Sequence, residues 1–469
     1  MEKENLQNLY LQATGQQAQS VEPLPSAASA RRYSRVAGPA GSLIATEGDD
    51  IEENEAFIYL SHHFASLSLP VPEVIAVSGD CRSYMQTDLG DTSLYSLIAA
   101  ADPSAGSLLE QTMRVLADFH SRASDGLDFS RCYPVGAMDR RAVMWDLNYF
   151  KYCFLKPSLD FFSEPRLEAD MERLCTMLTE GIADKGVFIL RDFQSRNVMV
   201  SQGRPYVIDF QGGRRGMPHY DVASFLWQAR AGFPDDLRQH LIDIYVEAAG
   251  VDGAEFRRKL DLFVLFRTLQ VLGAYGFRGY CQHKQAFVSS IPKAIAILRN
   301  LLPDIPDELP YLKEVLARLC ALPQFKSRQA LPGLTVRVSS FSYRKGVPAD
   351  PTGNGGGFVF DCRAIHNPGR YDEYKHLTGR DEPVVRFLEA DGEILQFLEH
   401  VYALVDAAVD RYLKRGFESL QVDFGCTGGR HRSVYSAEAL ARHLAARGDV
   451  NVSLCHREQD INTLITARK

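Results

Sequence analysis

The spacing of apolar side chains divides the chain into three stretches. The first opens with a short helix carrying Leu6, Leu9 and Tyr10 at helical spacing and ending near Gly15, followed by a loop with Pro23 and Pro25. Alternating runs then predict strands at Ser29–Val36, Ser42–Ala45, Val74–Val77 and Ser83–Gln86. Period-two geometry puts Ser29, Arg31, Tyr33 and Arg35 on one face of the first of these, and Arg32 and Ser34 on the other. An acidic helix starting at Asp50 interrupts the strands, with Glu53, Phe57 and Leu60 at i, i+4 and i+7, so that Glu53 borders the buried stripe. From Leu94 to about residue 322 the period is helical, with helices predicted around 107–122, 138–156, 166–183, 219–229, 235–249, 254–277 and 285–301. A break at Pro323–Pro332 opens the third stretch. Strands at Leu334–Val338, Phe358–Asp361, Leu420–Phe424 and Asn451–Cys455 alternate there with a long helix from about Val384 to Lys414 and a helix over Ser433–Arg447. A glycine turn lies at Gly353–Gly357, and the long helix carries Leu395, Leu398, Val401, Leu404, Val405 and Val409 on one predicted stripe. The expected divisions are 1–90, 91–327 and 328–469.

Composition narrows the class. The 469 residues are 45% hydrophobic and 24% charged, enough to bury several cores. No apolar run approaches the roughly 20 residues that cross a bilayer, and the start carries no apolar signal core, so a cytoplasmic protein is expected. Nine cysteines without close metal-type pairs read as reduced thiols. The net charge of -7 points to small anions rather than long polyanions as partners. Between Lys3 and Lys151 there is no lysine, so a phosphate held by the first stretch needs an arginine, with Arg31, Arg32 and Arg35 as candidates or as plain solvated strand residues.

The candidate chemistry centres on Leu190–Gly212. Asp192 and Asn197 lie five residues apart on a loop, and after Val198-Met199-Val200 and a turn at Ser201-Gln202-Gly203 a second carboxylate, Asp209, ends the next strand. Transfer of a γ-phosphoryl group needs a base that orients the acceptor and oxygen ligands for magnesium. Asp192 suits the base, and Asn197 and Asp209 suit the metal.

Asp192, Asn197 and Ile208-Asp209-Phe210 resemble the core of the aminoglycoside phosphotransferase and choline kinase family. Ser29–Arg35, Gly90–Leu94, Asp118-Phe119-His120, Trp145–Phe150 and Tyr220–Ser224 resemble more closely the bacterial anomeric kinases of N-acetylmuramate and N-acetylglucosamine, over roughly residues 10–322. The resemblance implies an α+β bilobal protein-kinase-like fold, a small β-rich N-lobe and a large helical C-lobe, followed by the small α/β domain. It implies ATP between the lobes, held by Arg31, Arg32, Glu53 and the hinge at Gln86, Asp88 and Leu89, with Mg²⁺ on Asn197 and Asp209. Asp221 would brace the catalytic loop. Acceptor would meet Trp145, Asp146, Asn148 and Arg196, although Trp145–Lys151 reads equally well as an amphipathic helix with a core stripe. The chain departs from the family twice: Leu190 stands where a histidine is usual, and the strand lysine is missing, which shifts phosphate binding to Arg31 or Arg32.

A second loop, Phe424–Ser433, runs from a strand into a helix. Its glycines free backbone N–H groups to converge, and the helix start adds positive potential, so Cys426, Thr427, Gly428, Gly429, Arg430, His431, Arg432 and Ser433 form an anion site. Cys426, five residues, then Arg432-Ser433 also matches the cysteine-phosphatase signature, with no general acid identified among Asp361, Asp372 and Asp381. A cysteine lining the loop is the favoured reading. With Phe341–Pro348, Phe360–Arg363, Asn367-Pro368, Leu377-Thr378-Gly379 and Cys455-His456-Arg457, the loop resembles the C-terminal domain of the RNase adapter RapZ over roughly residues 333–460. That implies a sensor of an amino-sugar phosphate and leaves room for RNA contacts, while no membrane partner is expected. The leading expectation is an ATP- and Mg²⁺-dependent kinase acting on a sugar hydroxyl, with a phosphosugar-binding domain. Its alternatives are a regulatory adapter with a degenerate kinase domain and a kinase fused to a cysteine-dependent phosphatase.

Overall fold

The computed structural model describes residues 2–25, 31–229, 231–325, 333–348 and 357–467. Residues 26–30, with the predicted start of the Ser29–Val36 strand, most of the Pro323–Pro332 break and the predicted glycine turn up to Gly356 lie outside the described residues. Two compact units result, one of Met1–Gln282 with Ser290–Lys326, the other of His283–Ser289 with Ser327–Lys469.

The first unit begins with an antiparallel sheet of order β1-β2-β3-β5-β4, formed by β1 (Ser20–Leu24), β2 (Arg32–Gly38), β3 (Gly41–Glu47), β4 (Val74–Val77) and β5 (Ser83–Thr87). The sequence pattern gave β1 as loop because Pro23 lies in it; an edge strand tolerates a proline, which has no N–H for a ladder. β2 starts at Arg32, so Arg31 precedes the strand. Leu6, Leu9 and Tyr10 of the Glu2–Thr14 helix pack with Val36, Ala45, Ala76 and Met85 of the sheet. The Ile51–Ser66 helix is capped by Asp50, whose carboxylate accepts from the Glu53 N–H at 3.1 Å. Its Phe57 stacks on Tyr84 of β5 at 5.1 Å and on Phe210 at 4.6 Å.

The helical part contains Ala105–Arg122, Arg140–Phe150, Glu164–Thr179, Asp235–Ala249, Gly253–Gly276, Ile291–Leu301 and Pro310–Ala321. The expected helix over 138–156 widens into a π turn at Lys151–Leu155, and the Gly253–Gly276 helix into another at Phe277–Cys281. The two approach so closely that a Cβ at Gly276 would lie 2.2 Å from the Cys153 carbonyl oxygen. By length and composition Gly253–Cys281 would suffice to cross a bilayer, although Asp261 and Arg267 interrupt its apolar run; 61% of its apolar window is buried, as in a core helix. Two short pairings frame the central loop. β6 (Val187–Ile189) lies antiparallel to β9 (Arg214–Gly216), and β7 (Val198–Ser201) turns through Gln202 and Gly203, both with positive φ, into β8 (Arg204–Val207).

The second unit is an α/β sheet of order β11-β12-β10-β13-β14, from β10 (Thr335–Ser342), β11 (Gly357–Asp361), β12 (Ser419–Cys426), β13 (Asn451–His456) and β14 (Ile461–Ile465). The first four run parallel and β14 is an antiparallel edge that the sequence pattern did not predict, its side chains being largely exposed. The single helix expected from Val384 to Lys414 is two, Glu382–Glu389 and Glu393–Lys414, because Gly392 takes a left-handed turn at φ 78°. Ile394, Leu398, Val401, Val405 and Val409 form the buried stripe, whereas Leu395 and Leu404, expected on it, face outward. The architecture is a strand-rich lobe and a helical lobe in one unit and a small α/β domain in the other.

Candidate functional site

The loop between β6 and β7 is held in place by a buried carboxylate. Asp221, in the first turn of the His219–Leu226 helix, accepts the Leu190 N–H at 2.6 Å and the Arg191 N–H at 2.8 Å. It also meets His120 Nε2 at 3.2 Å, and His120 Nδ1 faces the Tyr245 hydroxyl at 2.7 Å. A carboxylate only accepts, so His120 donates to Asp221 from Nε2. Arg191 sits at φ 67°, a strained setting for an arginine, and is secured by a two-pronged ion pair to Asp146 at 3.0 and 3.1 Å. Leu190, in the usual histidine position, has a buried side chain.

Asp192 then projects into a ring of donors: Arg267 Nη2 at 3.1 Å, Arg196 Nη2 at 3.1 Å and Gln194 Nε2 at 2.9 Å. Asn197 Nδ2 donates to the Asp192 carbonyl oxygen at 2.9 Å and to Asp209 Oδ2 at 3.1 Å, so the three residues predicted from their spacing face one centre. Desolvation works against ionisation of Asp192, but Arg267 and Arg196 outweigh it and hold the carboxyl below its usual range. At Asp209 desolvation, and then the nearby Asp192, push the carboxyl upward. Asp209 adopts φ 64°, and the following Phe210 is buried against Phe57.

Arg31 approaches the same centre from the strand-rich lobe. Its side chain is buried, donates from Nη2 to the Glu53 backbone oxygen at 3.2 Å and lies 3.5 Å from Glu53 Oε1. It also acts electrostatically on Asp209. Arg32 is exposed and 3.9 Å from Glu47. At the expected hinge, the Gln86 amide donates to Thr46 Oγ1 at 3.0 Å, Asp88 accepts Arg35 Nε at 2.7 Å, and Leu89 follows, partly buried. On the expected acceptor side, Asp146 is tied to Arg191, Arg196 to Asp192, and Trp145 is 43% exposed with Arg141 over its ring at 4.9 Å. Asn148, partly buried, shares the helix of Trp145 and Asp146.

Arg267 and the Arg191–Asp146 pair were missed by the sequence reading. Arg267 had a signal: it is the lone charged side chain between Asp261 and Arg278 in an otherwise apolar helix face.

The donor chemistry suits a hard divalent cation. Among the described residues no three His, Cys, Asp or Glu side chains form a metal cage. Magnesium does not need one, since it is held by one or two carboxylates together with substrate phosphates and water. Gln211 donates from Nε2 to Asp209 Oδ1 at 2.8 Å while its Oε1 is buried without a hydrogen-bond partner, an orphaned oxygen beside the carboxylate and amide oxygens of Asp209 and Asn197.

In the second unit, Phe424–Ser433 leaves the carboxyl end of β12 and enters the Arg432–Arg447 helix, which crosses over β10 to β13. Ligands of open parallel α/β sheets bind outside the carboxyl ends of the strands, where this loop lies. Cys426 Sγ lies 3.1 Å from Ser433 Oγ, both buried. Desolvation pushes the thiol up, yet the Ser433 hydroxyl, the N–H groups of Ser433 and Arg430 and the Arg432 charge hold it below its ordinary value. Ser342 Oγ donates to the Thr427 carbonyl at 2.7 Å and Gln459 Nε2 to that of Gly429 at 3.1 Å, fixing the loop while Thr427 and Gly428 stay exposed. Arg430 Nη1 and His431 Nε2 turn away to the carbonyls of Lys375 and Tyr374, at 3.1 and 2.9 Å.

Residues 20–260 match the model of the phosphotransferase enzyme family, and residues 334–460 match that of the RapZ C-terminal domain. A nucleotide-binding protein of Xanthomonas campestris pv. campestris is 39% identical over 127 residues, which are 27% of this chain and 43% of that protein. The chain therefore spans less than half the length of this curated relative. Among solved structures, choline kinase from Cryptosporidium parvum overlaps 64% of this chain and 93% of its own, at 14% identity and a TM-score of 0.44. The gentamicin complex of APH(2″)-IIa overlaps 66% and 97%, at 13% identity and a TM-score of 0.44.

Proposed function

Because the chain belongs to the phosphotransferase enzyme family, we propose that its first unit is an ATP- and Mg²⁺-dependent kinase of a sugar hydroxyl, an amino sugar such as N-acetylmuramate or N-acetylglucosamine, and that its second unit binds a phosphosugar. The observation that carries the reading is the hydrogen-bonded set Asp192, Asn197 and Asp209 with Arg31 on Glu53 beside it. Asp192, kept ionised by Arg267 and Arg196, receives and orients the acceptor hydroxyl proton. Asn197 and Asp209 would hold the metal, which when bound with ATP neutralises charge on the phosphates. Arg31 takes the place of the missing lysine, its charge and fork suiting phosphate. The intact Arg31–Glu53 pair speaks for a working enzyme over a degenerate adapter.

The proposed divisions are the N-lobe at 1–90, the helical lobe at 91–327 and the phosphosugar domain at 328–469. The exposed Trp145 offers an apolar face for a sugar ring, next to Asn148.

The test is an ATP-consumption screen of the full chain across amino sugars, N-acetylmuramate and aminoglycosides, repeated with Asp192→Asn. Turnover on an amino sugar, reduced about 10³-fold or more in the variant, is the expected outcome. Turnover on aminoglycosides alone would replace the substrate, and full turnover in the variant would remove the mechanism.

A further inference from the structure

The glycine loop contains more than an anion cradle requires. Backbone N–H groups and a helix start suffice to hold a phosphate, and a small inert side chain at the base of the loop would serve them. The base is instead a thiol whose sulfur meets the Ser433 hydroxyl at 3.1 Å and the N–H groups of Arg430 and Ser433.

A second observation comes from Arg432. Its side chain is buried, with 4% of the residue exposed, and Nη1 is pinned by the carbonyl oxygens of Arg363 at 2.9 Å and Ile365 at 2.7 Å. That leaves Nε buried and without a hydrogen-bond partner, a costly arrangement unless an acceptor comes to it. Arg432 and Cys426 act on one another electrostatically, so this guanidinium and the sulfur share one site. A tetrahedral oxyanion placed over the sulfur would satisfy the Arg432 Nε–H. The crest of the loop is open for it, since a Cβ on Gly428 would meet nothing within 4 Å.

We propose that Cys426 is a nucleophile and that the second unit carries a phosphomonoesterase activity of its own, independent of ATP and of the Asp192 centre. The thiolate attacks phosphorus, the S–P bond forms as the P–O ester bond breaks, and the leaving alkoxide takes a proton from water. A second water then attacks the phosphocysteine, the S–P bond breaks, and inorganic phosphate and the thiolate are released. No electron transfer and no co-reactant other than water is involved. Arg432 Nε and the loop N–H groups neutralise the charge that builds on the phosphoryl oxygens in both steps.

The experiment uses the full chain without ATP, in the presence of EDTA, with p-nitrophenyl phosphate as probe, because its phenolate leaves without an acid. Expected are p-nitrophenol release between pH 5 and 8, at least a 100-fold loss in Cys426→Ser of unchanged thermal midpoint, and a phosphorylated Cys426 peptide in rapidly quenched wild type. Undiminished release in Cys426→Ser overturns the proposal, as does the absence of release from wild type. Should Cys426→Ser fail to fold, the quenched wild type decides by itself: a phosphate on Cys426 supports the proposal and an unmodified Cys426 peptide during turnover overturns it.

Discussion

The loop around Asp192 and the loop around Cys426 both stabilise a reactive anion, by opposite means. At Asp192 the work falls to side chains brought from far along the chain, with Arg267 contributed by a helix 75 residues away and Asp146 reaching Arg191 across 45. At Cys426 it falls to groups within seven residues, the Ser433 hydroxyl first and then the N–H donors of Ser433 and Arg430. A site assembled from side chains can balance a lowered carboxyl, Asp192, against a raised one, Asp209. It also fails when one long-range support is removed. A site drawn from one loop shares its stabilisation between a neighbouring hydroxyl and backbone N–H groups that no substitution deletes.

The largest effect is therefore expected from Asp221→Ala. The substitution leaves the Leu190 and Arg191 N–H groups without their acceptor and His120 without its partner. Unmet buried donors of this kind cost about 1–3 kcal/mol each, so about 4 kcal/mol in all is expected by denaturant unfolding, with kcat down more than about 100-fold as Asp192 loses its position. A loss below about 1 kcal/mol with kcat intact would show that the loop is held from elsewhere and would erase the contrast.

Arg31→Ala comes next. It removes the cation expected at the phosphates while leaving the Asp192 ring in place, so kcat/KM for ATP should fall about 100-fold, close to 3 kcal/mol, with a much smaller change for the acceptor. Arg31→Lys should recover part of this, since lysine restores charge but not the planar fork. An equal loss in Arg32→Ala, whose side chain is exposed, would move phosphate binding outward along β2.

The same contrast decides what could be read from sequence. The meeting of Asp192, Asn197 and Asp209 was legible because only a loop and one hairpin separate them, and that of Cys426 with Ser433 because one short loop does, whereas Arg430 and His431, expected beside them, turn away. Arg267 and the pairing of Arg191 with Asp146 were not, because only the packing of the Arg140–Phe150 and Gly253–Gly276 helices against the loop reveals them. The elements show the same split. Hydrophobic period located most strands and helices, but β1 was hidden by Pro23, β14 by its exposed side chains, and the break at Gly392 by a stripe that continues across it. Arg31 lay between: the absence of lysine named it as a candidate, while its choice of Glu53 is a matter of geometry.

The smallest effect is expected from Ser433→Ala, and it tests the backbone half of the comparison most directly. The hydroxyl bonds the Cys426 sulfur at 3.1 Å, so its removal should raise the thiol. The N–H groups of Ser433 and Arg430 and the charge of Arg432 all remain, so the variant thiol should rise only part of the way back toward an ordinary cysteine. The sign follows from the wild-type site, which favours thiolate and therefore deprotonates below the usual thiol range of about 8.5; the variant should form thiolate at higher pH than wild type. Thiolate absorbance in the ultraviolet, taken as the difference from Cys426→Ser across pH 5–10, measures both midpoints. A midpoint at or above that of an ordinary cysteine would mean that one side chain carries the stabilisation of this anion, as the arginines do at Asp192, and the two loops would then differ only in which side chains they use.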